Sequence, residues 1–166
     1  MKGFELSAAY DKGPWSLYGN LAWSEAIGSN INSAQFNFQP NELAFIAQNY
    51  IYLDHNQSWT GSGGASYTFN QSSDWATRIS GDVKVGSGLR ATVTTPNDTA
   101  LPTYVTANLS VAQKIAIKGT RGTQIRFDAI NLLDHSYQIR DGSGVGVGAP
   151  QFGQRRTFLV SLSQKF

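Results

Sequence analysis

The chain has no cysteine, one methionine and five prolines in 166 residues, and only 14% of it is Asp, Glu, Lys or Arg. Typical soluble domains carry about 25% charged residues. The absence of cysteine excludes a disulfide-stapled scaffold and a thiolate metal centre. No run approaches the ~18 to 20 consecutive apolar residues of a membrane-spanning helix. The balance of 13 basic to 11 acidic residues contains no basic block or stripe, so nucleic acid is not an expected partner despite a pI near 8.9. Met1-Lys2-Gly3-Phe4-Glu5 lacks the basic and then apolar regions of a secretory signal.

The missing charge is not replaced by apolar mass. Hydrophobic residues make up 40% and mean hydropathy is −0.28; the remainder is Ser, Thr, Asn, Gln and 17 Gly. An aromatic share of 12% with very little net charge excludes a disordered chain.

Helical spacing is nearly absent, while period-2 alternation recurs. One face takes Phe4, Leu6, Ala8 and Tyr10; next come Trp15, Leu17, Gly19, Leu21 and Trp23; then Trp59, Gly61, Gly63, Ala65, Tyr67 and Phe69. The fourth segment, Trp75 to Val85, and the sixth, Ile125 to Ala129, place every charge on the opposite face. The fifth runs from Val105 to Ile117 with Gln113 as a polar intruder, and the last runs from Phe158 to Phe166. The pattern predicts an all-β chain: an antiparallel up-and-down meander of seven long strands. Short turns (11–14, 70–74, 118–122) alternate with long loops (25–57, 87–102, 134–155). In the first long loop, Asn41 to Gln48 predicts a short helix capped by Asn41.

Alternation alone does not say which face is dry. The segments match the ~9 to 11 tilted residues that cross a bilayer as a strand. Aromatic residues sit at the ends of the apolar face: Tyr10, Trp15, Tyr67, Phe69, Trp75 and Phe166 beside the short turns, and Phe4, Trp23, Trp59 and Phe158 opposite. Such rows suit the headgroup level of a membrane. The other face is small and hydrated, with Arg78, Asp82, Lys84, Arg126 and Asp128 interspersed. Transmembrane strands with brief periplasmic turns and long extracellular loops are therefore expected. The first strand would then start on the extracellular side and lack a partner, and bacterial single-chain barrels have even strand numbers. The chain is accordingly expected to be a C-terminal piece of a larger barrel, with Met1 not the natural start.

The terminal stretch ending at Phe166 resembles the C-terminal signal that outer-membrane proteins present to their assembly machinery. Ile125-Arg126-Phe127-Asp128-Ala129-Ile130-Asn131-Leu132-Leu133-Asp134, followed by Tyr137, resembles the N-L-F-D-x-x-Y stretch near the end of TonB-dependent outer-membrane receptors, with Leu133 where Phe is commoner. The run from Arg140 to Phe158 is similar to the final extracellular loop of a branch of that family, and Gly3 to Leu6, Asn30 to Phe36 and Tyr52 to His55 fit the same branch. The resemblance covers the whole of residues 1–166 but only the family's C-terminal third. It implies a 22-stranded barrel whose lumen holds an N-terminal plug absent from these residues. It also implies uptake of a siderophore, cobalamin or oligosaccharide, powered through the TonB complex. Expected partners are outer-membrane lipid and lipopolysaccharide, the rest of the barrel and the plug.

No enzyme is expected: no Ser-His-Asp or paired-carboxylate constellation is legible, and Asp82 and Asp128 read as members of a lumen charge ladder. Gly142, Gly144, Gly146 and Gly148 do not form a nucleotide loop, because Pro150 follows and no Lys-Ser/Thr is present. His55 and His135 would need their loops to meet to share a metal; no metal or cofactor is expected. Arg140, Arg155 and Arg156 are the candidate ligand-binding residues, since a guanidinium suits an anionic chelate; alternatively they pair with loop acids such as Asp141 or face lipopolysaccharide phosphates. A small self-contained barrel acting as pore or surface protein, and a soluble ligand-binding barrel, are the competing readings.

Overall fold

The computed structural model describes residues 1–31, 38–117, 122–143 and 148–165, the side chain of Lys165 excepted. Along the chain, β1 (Lys2–Lys12) and β2 (Trp15–Glu25) form a hairpin, followed by a connection with β3 (Ile27–Gly28), α1 (Pro40–Ile46) and β4 (Ile51–Tyr52). A second pair, β5 (Trp59–Phe69) and β6 (Thr77–Gly86), leads to a connection with β7 (Arg90–Ala91) and β8 (Thr99–Ala100). Then come β9 (Tyr104–Ile115), β10 (Gly122–Ile130), a connection with β11 (Gln138–Arg140) and β12 (Gln151–Phe152), and finally β13 (Thr157–Lys165). The seven long strands form one antiparallel sheet in the order β1-β2-β5-β6-β9-β10-β13, the expected meander. Among the described residues, β1 and β13 are its open edges.

Register joins the alternating sets into two continuous faces. Leu6 lies opposite Leu21, Leu21 opposite Gly61, Gly61 opposite Val85 and Val85 opposite Val105. On the far side of β9, Phe127 lies opposite Val111 and Val160. This apolar face is uncovered: Leu6 is 66% exposed and Val160 74%. Its ends are aromatic. Trp15, Tyr67 and Phe69 stack edge to face at centroid distances of 4.7 and 4.6 Å beside the tight turns, and Phe4 contacts Trp23 and Trp59 at 6.0 and 5.8 Å at the other end. The opposite face carries a polar ladder. Asn20 donates to Ser62, Arg78 to Ser66, and Asn108 to Asp82, while Arg126 holds Asp128 through Nε at 2.8 Å.

Two details differ from the sequence reading, each for a local reason. Strand β6 starts at Thr77, not Trp75, because Asn70 adopts a left-handed φ of 49° and the Ser73 hydroxyl accepts the Trp75 N–H, which holds Trp75 in the turn. Gln113, the polar intruder on the apolar face, closes that strand end: it accepts the Thr77 hydroxyl at 2.6 Å and donates to the carbonyl of Trp75 at 3.1 Å. The helix is capped by Gln39 rather than Asn41. Pro40 presets φ at the first helical position, and the Glu42 carboxylate accepts the Gln39 N–H at 2.7 Å. The Lys118–Arg121 part of the last tight turn, Gly144 and Gly146, the Asn32–Phe36 stretch and Phe166 lie outside the described residues.

Candidate functional site

A meander sends alternate connections to opposite ends, so the three long ones, after β2, β6 and β10, leave the sheet at one end. Each contains its own small antiparallel ladder: β3 with β4, β7 with β8, β11 with β12. Among the described residues, the buried apolar cluster lies here and not on the sheet. Phe38, Ile46 and Ile51 are buried together, with Ile31 and Phe45 against them. The helix fastens to the loop entry where the Asn30 N–H meets the Ile46 carbonyl at 2.9 Å.

Three buried asparagines, each 2% exposed, fasten one connection apiece. Asn56 accepts the Ala26 N–H at 2.6 Å in the first. Asn97, at φ 58°, donates from Nδ2 to the Tyr52 carbonyl at 2.8 Å and to the Asp54 carboxylate, tying the second connection to the first. Asn131, at φ 49°, donates to the carbonyls of His135 (2.8 Å) and Gln154 (2.9 Å) and accepts the His135 N–H at 3.0 Å, closing the third. Asparagine tolerates the left-handed region and carries both donor and acceptor, which suits a buried turn.

The three connections also meet one another. Arg90 stacks on the Tyr52 ring at 3.6 Å and donates to Ser58 at 3.2 Å; the Thr92 N–H donates to the Ser143 hydroxyl at 2.9 Å; Arg140 contacts Nε2 of His55. A guanidinium only donates, so the facing His55 nitrogen is the acceptor. The loops therefore form one connected surface, not three independent flaps.

Arg140 lies at the junction of the first and third connections, on β11. Arg155 is taken up by Asp134, not Asp141: Nε and Nη2 make a fork to the two carboxylate oxygens at 2.8 and 2.6 Å, and the Arg156 N–H joins at 3.0 Å. The Arg155 guanidinium, with the Arg156 amide, holds the Asp134 carboxyl well below the usual carboxylate range. Asp141 instead accepts the N–H and hydroxyl of Ser143. The Arg156 guanidinium lies 5.9 Å over the Phe158 ring. His135 stacks on Tyr137, which stacks on Tyr104 at 4.4 Å. The two histidines are thus engaged in separate contacts, and no group of three or more metal-ligating side chains occurs among the described residues. Asn56, Asn97 and the Arg90–Tyr52 stack escaped the sequence reading, which singled out Asn131 only as the first residue of the N-L-F-D-x-x-Y-like stretch and not as a buried turn.

In the second connection one carboxylate holds a turn together. Asp98 accepts the N–H groups of Thr95, Val93 and Thr94, which lower its pKa to about 2. The folded value lies below the unfolded one, so the unfolded chain binds more protons and the turn's stabilisation is complete above about pH 4 and lost as pH falls toward 2. Amide exchange at residues 93–95, normalised to unfolded-peptide rates, should accelerate across that window. Asp98→Asn should show fast exchange already at neutral pH; an unchanged profile in the variant would refute the assignment.

No family model, curated protein or solved structure matches the chain.

Proposed function

We propose that this chain is part of the wall of an outer-membrane β-barrel and carries the C-terminal strands and extracellular loops of a TonB-dependent receptor. The observation that carries the reading is the uncovered apolar face, continuous over seven strands and bounded by an aromatic row at each end. Trp15 and Trp23 are eight residues apart, about 26 Å along a strand and about 20 Å in height once tilted by about 40°. That is near the ~25 Å apolar band of outer-membrane barrels. The polar ladder opposite suits a hydrated lumen. In lipid, the unpaired edges of β1 and β13 would each leave a row of unsatisfied N–H and C=O groups, so further strands are needed for closure. The resemblance noted above supplies them, together with a plug and energy delivered through the TonB complex.

In this reading the joined loop surface faces the exterior, toward lipopolysaccharide and the nutrient, with Arg140 and Arg156 on it and Arg155 fixing the strand entry through Asp134. The chain is a transport component and not an enzyme. Residues 1–166 contain no cysteine, so a single cysteine introduced here reports topology once any cysteine elsewhere in the full-length protein is replaced. Leu133→Cys, on the loop side and 74% exposed, should react with a membrane-impermeant maleimide in intact cells carrying the full-length protein. Gln71→Cys, in a tight turn, should react only after permeabilisation. Labelling of both in intact cells, or of neither after permeabilisation, would overturn the orientation.

A further inference from the structure

The polar face holds an open basic concavity apart from the loop surface. It measures about 440 Å³ and lies toward the tight-turn end, with Arg78, Lys114 and Arg126 on three adjacent strands. Register explains its form. Arg78 on β6 and Arg126 on β10 both lie opposite Ala112 on β9. Their Cα atoms are therefore about 10 Å apart, two strand spacings, across a residue too small to fill the gap. Lys114 lies two residues along β9, on the same face.

The charges do not cancel. Arg126 is balanced by Asp128, with its Nη2 2.7 Å from Oδ1. Arg78 donates only to the neutral Ser66 hydroxyl, at 2.7 Å, and the Lys114 ammonium has no acidic partner among the described residues. Among the described residues, three cations and one carboxylate leave two positive charges around one floor. The hydroxyl of Ser80 and the amide of Gln124 line the same space. The geometry points to a site for a small phosphoryl dianion, free phosphate or a phosphate monoester, seated over Ala112 between Arg78 and Lys114. Arginine supplies a planar fork and lysine a point charge, the pairing that phosphoryl groups use. The form of the concavity follows from the register of three strands.

The test is calorimetric titration of the full-length protein in an uncharged detergent at fixed ionic strength, with inorganic phosphate and glycerol 3-phosphate as probes. Saturable binding is expected, weakened at least tenfold by Lys114→Gln and by Arg78→Gln, and unchanged by Lys84→Gln elsewhere on the same face. Arg78→Lys should recover part of the loss. Among the described residues the Lys114 side chain makes no hydrogen bond, so its variant keeps the test decisive if Arg78→Gln does not fold. Tighter binding of the ester identifies organic phosphates as the ligand, and tighter binding of inorganic phosphate identifies the free ion; either supports the site. No saturation, an equal response to chloride, or phosphate binding that survives Lys114→Gln would overturn it.

Discussion

Asn131→Ala is expected to detach the third long connection from the sheet. The side chain makes three hydrogen bonds, to the His135 and Gln154 carbonyls and from the His135 N–H, inside a site where the residue is 2% exposed. Truncation removes three part-buried hydrogen bonds, at about 0.5 to 1.5 kcal/mol each. Alanine at φ 49° adds about 1 kcal/mol of backbone strain. A total loss of roughly 3 to 5 kcal/mol in urea unfolding follows, the upper range for a point substitution. Proteolysis should open within residues 131–156 before the rest of the chain. Asn131→Gly should recover only the strain, about 1 kcal/mol. If the alanine variant lost less than about 1 kcal/mol, the clamp would be ornamental.

The second large effect separates the two faces of one strand. Leu6 and Ser7 are neighbours near the middle of β1, pointing to the apolar and polar faces opposite Leu21 and Asn20. Lysine at Leu6 should reduce folding stability in lipid bilayers by roughly 2 to 4 kcal/mol, the value for a lysine facing lipid near the midplane. Lysine at Ser7 should stay within about 0.5 kcal/mol, as an exposed polar substitution does. Comparing urea-induced unfolding from vesicles for the two variants gives the contrast. Equal effects, or a larger one at Ser7, would place water on the apolar face and remove the main support for a membrane wall.

Much of the sheet was legible because strand alternation is a property of the backbone pleat and needs no partner to be visible. Phe4, Leu6, Ala8 and Tyr10 share a face whatever lies beside them, and Asp11 to Pro14 marks a turn by composition alone. Gln113 was visible as an exception but not as a cap, since its partner Trp75 is 38 residues away. The loop site was far less legible. Arg140 and His55 are 85 residues apart and Thr92 and Ser143 are 51 apart, and neither separation has a local pattern. Even at short range the partner was not readable: Asp141 is nearer in sequence to Arg155 than Asp134 is, yet Asn131's left-handed turn swings Asp134 to the entry of β13 and Arg155 takes it.

By itself, then, the sequence determined the seven long strands of the sheet, the residues that share each face and the alternation of tight turns with long connections, though not the short ladders within those connections, because a pleated backbone with period-2 chemistry carries that information in every few residues. Tertiary structure alone decided that Arg78 and Arg126 flank Ala112 and that three connections merge into one surface. Those juxtapositions depend on interstrand register and on buried turns at Asn97 and Asn131, whose hydrogen-bond partners lie on segments distant in sequence.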